Sequence, residues 1–182
     1  MLRTAALTAA FLASSVLAPA PKPNYKPPEG PNKNTLITKH KDKIKVAASS
    51  SYSGYPVDKL IDGDTGTSWF SGSNDSVGKG KMPWVEVEFP EDVTVARVNL
   101  LGNRDKDYPK GYSILAGKIE FMDKDGKKLH EEEGKAMGDL KDFEFTPKKA
   151  VAGVRRVRFT STKDEGDING SGDVALAEIQ IE

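Results

Sequence analysis

Lys59-Leu60-Ile61-Asp62-Gly63-Asp64-Thr65-Gly66-Thr67-Ser68-Trp69 sets two carboxylates two residues apart, with glycines between and after them and a large aromatic at the end. Asp62 and Asp64 offer hard oxygen ligands, and Gly63 and Gly66 let the backbone turn tightly around whatever is held. The same residues would equally make a polar turn between two strands, since Asp and Gly are turn residues. An EF-hand loop starting at Asp62 would need a ligand at its fifth position, which is Gly66, and an acid at its twelfth, which is Ser73. That motif is excluded, and the flanking chain has to decide.

The flanks read as β-structure. Trp84-Val85-Glu86-Val87-Glu88-Phe89 alternates apolar and acidic residues, which predicts a strand with one wet face, bracketed by Pro83 and Pro90. Val93 to Leu100 is a second run whose apolar set changes phase at Ala96, as a bulge or bend would require. Lys118 to Met122 is a third, Phe143 and Phe145 alternate around Glu144, and Val157 and Phe159 alternate with Arg156 and Arg158. The last run sets Ala177, Ile179 and Ile181 against Glu178, Gln180 and Glu182. One short helical turn is expected at Val57 to Ile61. This spacing predicts an all-β sandwich or jelly roll. Ser71 to Lys81, Asn103 to Tyr112 and Thr162 to Asp173 are too long and polar for tight turns, so they read as loops that a rigid sandwich presents.

Upstream, the chain opens MLRTAALTAAFLASSVLAPA, one Arg and then an uncharged small-and-apolar run too short to span a bilayer comfortably. Residues 1–20 are read as an export signal, with an uncleaved anchor as the alternative, and the expected destination is secreted, extracellular or periplasmic. Residues 19–34 hold six of the eleven prolines. Such a segment favours extended polyproline II, so 21–39 reads as a linker and 40–182 as the single folded domain. Lys and Arg total 27 and Asp and Glu total 27, which speaks against a general nucleic-acid binder or a polybasic membrane anchor. Cys is absent, so no disulfide staples the domain. His40 and His130 are far apart, which leaves a histidine zinc site or a Ser-His-Asp triad without support. Asn169-Gly170-Ser171-Gly172 lacks the first glycine of a nucleophile elbow. Nothing in these residues selects a catalytic group, so the chain is not read as an enzyme.

Five blocks in order carry a resemblance: Ala47-Ala48-Ser49-Ser50-Ser51, Val57 to Trp69, Pro83 to Phe89, Val95-Ala96-Arg97-Val98-Asn99-Leu100, and Ala177-Glu178-Ile179. Together they resemble the discoidin domain, also called the coagulation factor V/VIII type C domain, which overlaps with the family 32 carbohydrate-binding modules. The resemblance covers about residues 40 to 182. It implies a galactose-binding-like β-sandwich of jelly-roll topology, a non-catalytic binding role, and one structural Ca²⁺. In that pattern the side chains of Asp62, Asp64, Thr67 and Glu178 are ligands, with backbone carbonyls near Lys59 and Ala177 completing the set. Such an ion would staple the start of the domain to its end. Trp69 and Trp84 fall at core or near-core positions.

Sugar-binding members of this family use loops at one end of the sandwich. The candidates here are Tyr52, Tyr55, Asn74, Asn103, Arg104 and Tyr108. Arg104 ranks first, because it matches a position where the family often keeps an arginine; its alternative role is an ion pair with Asp105 or Asp107. Two departures stand out. The loop Thr162 to Asp173 has no aromatic and instead carries Asp164, Glu165, Asp167 and Asp173, and no histidine occurs in the ligand loops. The expected function is recognition of a glycan or glycoprotein on a cell surface or matrix by a monomer that does not insert into membranes. A protein-interaction or structural module on the same scaffold is the alternative, and the acidic last loop favours it.

Overall fold

The alternation at Trp84–Phe89 produces the second strand of a five-stranded sheet. The computed structural model describes residues 35–182; the expected export signal and all but the last residues of the proline-rich linker lie outside the described residues. The strands are β1 (Lys45–Ala48), β2 (Trp69–Phe70), β3 (Trp84–Val95), β4 (Val98–Gly102), β5 (Ile114–Met122), β6 (Lys128–Lys135), β7 (Phe143–Phe145), β8 (Val151–Asp164) and β9 (Ala175–Ile181). They form a five-stranded sheet ordered β1-β3-β8-β5-β6 and a four-stranded sheet ordered β2-β9-β4-β7. Neighbouring strands in both sheets pair antiparallel.

The inward residues of both sheets make one core. Val85, Val87 and Phe89 of β3, Ile119 and Phe121 of β5 and Val157 and Phe159 of β8 meet Val98 and Leu100 of β4, Phe143 and Phe145 of β7 and Ile179 and Ile181 of β9. The rings of Phe143 and Phe159 lie 5.0 Å apart and bridge the two sheets. Phe159 also lies over Gly117, where an added Cβ would come within 2.2 Å of the ring, so the ring has room only because no side chain is there. On the outer face of β3, Glu86 and Glu88 stand opposite Arg158 and Arg156, opposite charges that stabilise the antiparallel pair. Trp84 is half-buried beneath the Arg158 guanidinium, 4.3 Å from the ring centroid. Trp69 is fully buried, and its indole N–H donates to Ser50 O and Ser51 Oγ.

Three expectations are corrected. Pro90 does not end the strand: β3 continues to Val95, with register breaks between Glu88 and Val93 and again before Val95. A proline cannot donate to the ladder, and the bulge is where its missing N–H is tolerated. The phase change at Ala96 is the crossing from one sheet to the other, where the Ala96 and Arg97 amides donate to Glu182 O. Second, regular structure is already present before residue 40, within the expected folded start between Thr35 and Ile44 but outside the 40–182 bounds. Thr35 caps a short helix, α1 (Leu36–His40), by accepting from the Thr38 amide, and Ile37 is buried in the core.

Third, β9 has no wet face; Glu178 is 4% and Gln180 2% exposed. The expected 3-10 turn at Val57–Ile61 and α1 both pack against β9, and Leu60 is fully buried there. Two short helical pieces thus roof the smaller sheet and carry its polar residues out of water.

Candidate functional site

The three long loops gather at one end of the sandwich and bond to one another. The Asn74 amide donates to Ser171 O at 2.8 Å, and the Val77 amide to Asp164 Oδ2 at 3.0 Å. Asn169 is the central tie: its Nδ2 donates to Gly111 O at 2.6 Å and to Asp173 O at 2.9 Å, while its Oδ1 accepts from the Gly172 amide. The β1–β2 loop is drawn in by Asp75, whose Oδ2 accepts from Ser49 Oγ at 2.6 Å and from Ser50 Oγ. Loops so tied can hold side chains in fixed places, which a binding surface requires.

Those loops build an aromatic pocket of about 70 Å³, lined by Tyr52, Tyr55, Phe70, Tyr108, Tyr112, Ser171 and Asp173. Phe70 is its buried base, with Tyr55 at 4.6 Å, Tyr112 at 5.2 Å and Tyr108 at 5.9 Å between ring centroids, all edge to face. Tyr52 and Tyr108 are solvent-exposed, so their faces remain available. Asp173 is buried, and burial raises its carboxyl above the ordinary range.

The six expected ligand residues separate. Tyr52, Tyr55 and Tyr108 line this pocket. Asn103 organises the second loop: its Oδ1 accepts from Ser68 Oγ and the Asp105 amide, and its Nδ2 donates to Tyr108 O at 2.6 Å. Asn74, in the left-handed region at φ 59°, is exposed beside the last loop and outside the pocket lining. Arg104 points inward. Its guanidinium donates to both carboxylate oxygens of fully buried Asp142, at 2.8 and 3.0 Å, and to Gly102 O. The ion pair expected of it exists, with Asp142 in place of Asp105 or Asp107. Phe70, Tyr112, Ser171 and Asp173 were not singled out as ligand residues; Tyr112, four residues after Tyr108, was the legible signal.

The acids of the opening stretch are not among the residues that line this pocket. They hold the turn: Asp62 Oδ1 accepts from the Asp64 amide, Asp64 Oδ1 from the Gly66 amide, and Asp62 Oδ2 from Thr67 Oγ1 at 3.0 Å. Lys59 Nζ is 3.4 Å from Asp62. Glu178 comes up from β9 against the turn. Burial, then the charge of Asp62, pushes its carboxyl up to about 8, and the Gly63 amide only partly opposes this. Glu178 Oε2 is buried with no hydrogen-bond partner. Among the described residues no three His, Asp or Glu side chains converge closely enough to hold an ion by themselves. The chemistry present is that of hard oxygen donors: the buried Glu178 Oε2 has no hydrogen-bond partner, and the charges of Asp62 and Asp64 both bear on its carboxyl.

The family model for the F5/8 type C domain matches residues 45–178. No curated protein matches the chain in sequence. Among solved structures, the family 32 carbohydrate-binding module of C. perfringens NanJ in complex with galactose is 16% identical with a TM-score of 0.62, over 78% of this chain and 95% of that one. The lectin domain of Lectinolysin complexed with Lewis B antigen is 13% identical with a TM-score of 0.60, over 77% and 92%. A Streptococcus pneumoniae fucose-binding module is 12% identical with a TM-score of 0.56, over 75% and 89%. At these identities the likeness shows the fold, the galactose-binding-like β-sandwich. With most of its folded residues matched by the family model, the chain belongs to the F5/8 type C, or discoidin, domain family.

Proposed function

We propose that the chain is an exported, non-catalytic module that binds a glycan or glycoprotein through the aromatic pocket, with one structural Ca²⁺ bracing the fold beside Asp62. The pocket carries this reading. Exposed Tyr52 and Tyr108 offer flat faces for the C–H side of a sugar ring, and Ser171 and Asp173 offer hydrogen-bonding groups for its hydroxyls. Its supports include neighbours of the same fold described in complex with galactose and with Lewis B antigen. The export reading rests on residues 1–20 alone.

Asp62, Asp64, Thr67 and Glu178, with the carbonyls of Lys59 and Ala177, would hold the ion. Its two charges would offset the crowded carboxylates and pin β9 to the turn. A protein-binding reading drew on the acidic last loop, but much of that charge is used internally. Asp164 accepts from Val77 N, Ser161 Oγ and Gly166 N, and Glu165 accepts from the Ser113 amide.

A glycan array probed with the wild type and with Tyr108→Ala tests the glycan reading. Binding to a defined sugar that the variant loses supports it; a folded protein that binds no glycan contradicts it.

A further inference from the structure

Asp173 is only 3% exposed, lines the aromatic pocket, and has an Oδ1 with no hydrogen-bond partner. A buried carboxylate is costly unless a cation or donor meets it. Among the described residues no cation is paired with it: Lys79 lies across Gly172, yet makes no ion pair with Asp173. Tyr52, Tyr55, Tyr108 and Tyr112 stand around the same space, and aromatic faces carry a negative quadrupole that attracts cations. Further negative charge reaches the rim. Beyond burial, Asp105 and Asp107 raise the Tyr55 phenol, and Asp173 raises that of Tyr112. Of the cations of that loop, Lys106 and Lys110 are exposed to solvent and Arg104 is committed to Asp142.

We infer that the pocket takes a protonated aliphatic amine carried by the ligand, the free amino group of a non-acylated amino sugar, with its charge against Asp173 and its carbons against Tyr108 and Tyr112. The inference rests on the glycan-binding reading and narrows it. A neutral sugar can hydrogen-bond to Asp173 but leaves its charge uncompensated; an N-acetyl sugar brings an amide N–H but no charge. The cavity of about 70 Å³ is several times the ~10–15 Å³ that admits one water, so an ammonium group and its attached carbons have room.

Titration calorimetry on the full chain at neutral pH tests this with four probes: a β-linked glucosamine trimer, its N-acetylated counterpart, galactose and choline. At that pH a sugar amine is still partly protonated, and the Asp173 carboxyl, raised by burial, keeps more of its charge than in acid. The glucosamine trimer is expected to bind about tenfold more tightly than the acetylated trimer, the scale of one cation–aromatic contact plus a charge. Asp173→Asn should erase that preference without lowering the melting midpoint, because it removes an unpaired buried charge. Tyr108→Ala, at an exposed position, should weaken the trimer while the fold stays intact. Choline should bind more weakly than the glucosamine trimer. Choline binding as tightly as the trimer overturns the sugar as the source of the amine. Equal or tighter binding of the acetylated trimer or galactose overturns the inference but leaves the glycan reading standing. No binding to any of the four overturns both.

Discussion

Arg104 carries its charge into the fold. Two oxygens of fully buried Asp142 accept from it, and Asp142 Oδ1 also accepts from the Gly102 amide, so one arginine fastens the end of β4 to the turn before β7. Removing one partner of such a pair strands the other. Arg104→Ala should therefore cost about 3 kcal/mol in a denaturant titration. It should leave the pocket tyrosines in place; a variant of wild-type stability that loses ligand would return Arg104 to the binding face. The family resemblance placed Arg104 by position, but a position cannot say which way a side chain points. Asp142 is remote in sequence and carries no pattern. Glu178 is the second residue whose charge matters. Its folded pKa, about 8, exceeds its ordinary value of 4.5, so the folded chain holds a proton that the unfolded chain releases. In chelator, its contribution to stability is then fully present below about pH 4.5 and lost as pH rises through about 8. Calcium should flatten that decline by replacing the proton. Melting curves from acid to mild alkali, with chelator and with calcium, check both statements, and superimposable curves would contradict the calcium proposal.

At the scale of elements, the decisive additions are the short ones. α1 and the 3-10 turn at Val57–Ile61 turn β9 from a half-wet strand into one buried on both faces. Period-two alternation reads which residues share a face. It does not read whether something lies over that face, so the alternation of Ala177, Ile179 and Ile181 with Glu178 and Gln180 could not show that both faces are buried. A chain beginning at Lys41 should melt well below one beginning at Thr35, because it uncovers Ile37's core contacts and the outer face of β9. Equal midpoints would show that α1 adds nothing. The loops depend on a single amide in a similar way. Asn169→Ala leaves the Gly111 and Asp173 carbonyls and the Gly172 amide without their partner, at a cost of about 1–3 kcal/mol. Amide hydrogen exchange should quicken in 103–112 and 165–174 and stay slow in β3 and β8. Asn169-Gly170-Ser171 also has the form of an N-glycosylation sequon, but the Asn169 Nδ2 is occupied by the Gly111 and Asp173 carbonyls.

For the whole molecule, a β-sandwich was legible because strand alternation, turn residues and block order agreed with one another. Its core should be sensitive in proportion to packing. Phe159→Ala empties the space between Phe143, Phe145 and Gly117 and should cost about 3–5 kcal/mol. The pocket was only half legible. Tyr52, Tyr55 and Tyr108 could be named, whereas Phe70, Tyr112 and Asp173 join them only once the sheets bring three loops to one end. The account stands on that convergence being the binding site. An NMR titration of the isotope-labelled chain with the glucosamine trimer, and with galactose for comparison, tests it most directly. The account predicts that the largest shift changes fall on Tyr52, Tyr55, Tyr108, Tyr112 and Asp173, with Asp62 to Thr67 nearly still. Changes centred on the Asp62 turn or on the outer face of the larger sheet, or no change with either sugar, would contradict it.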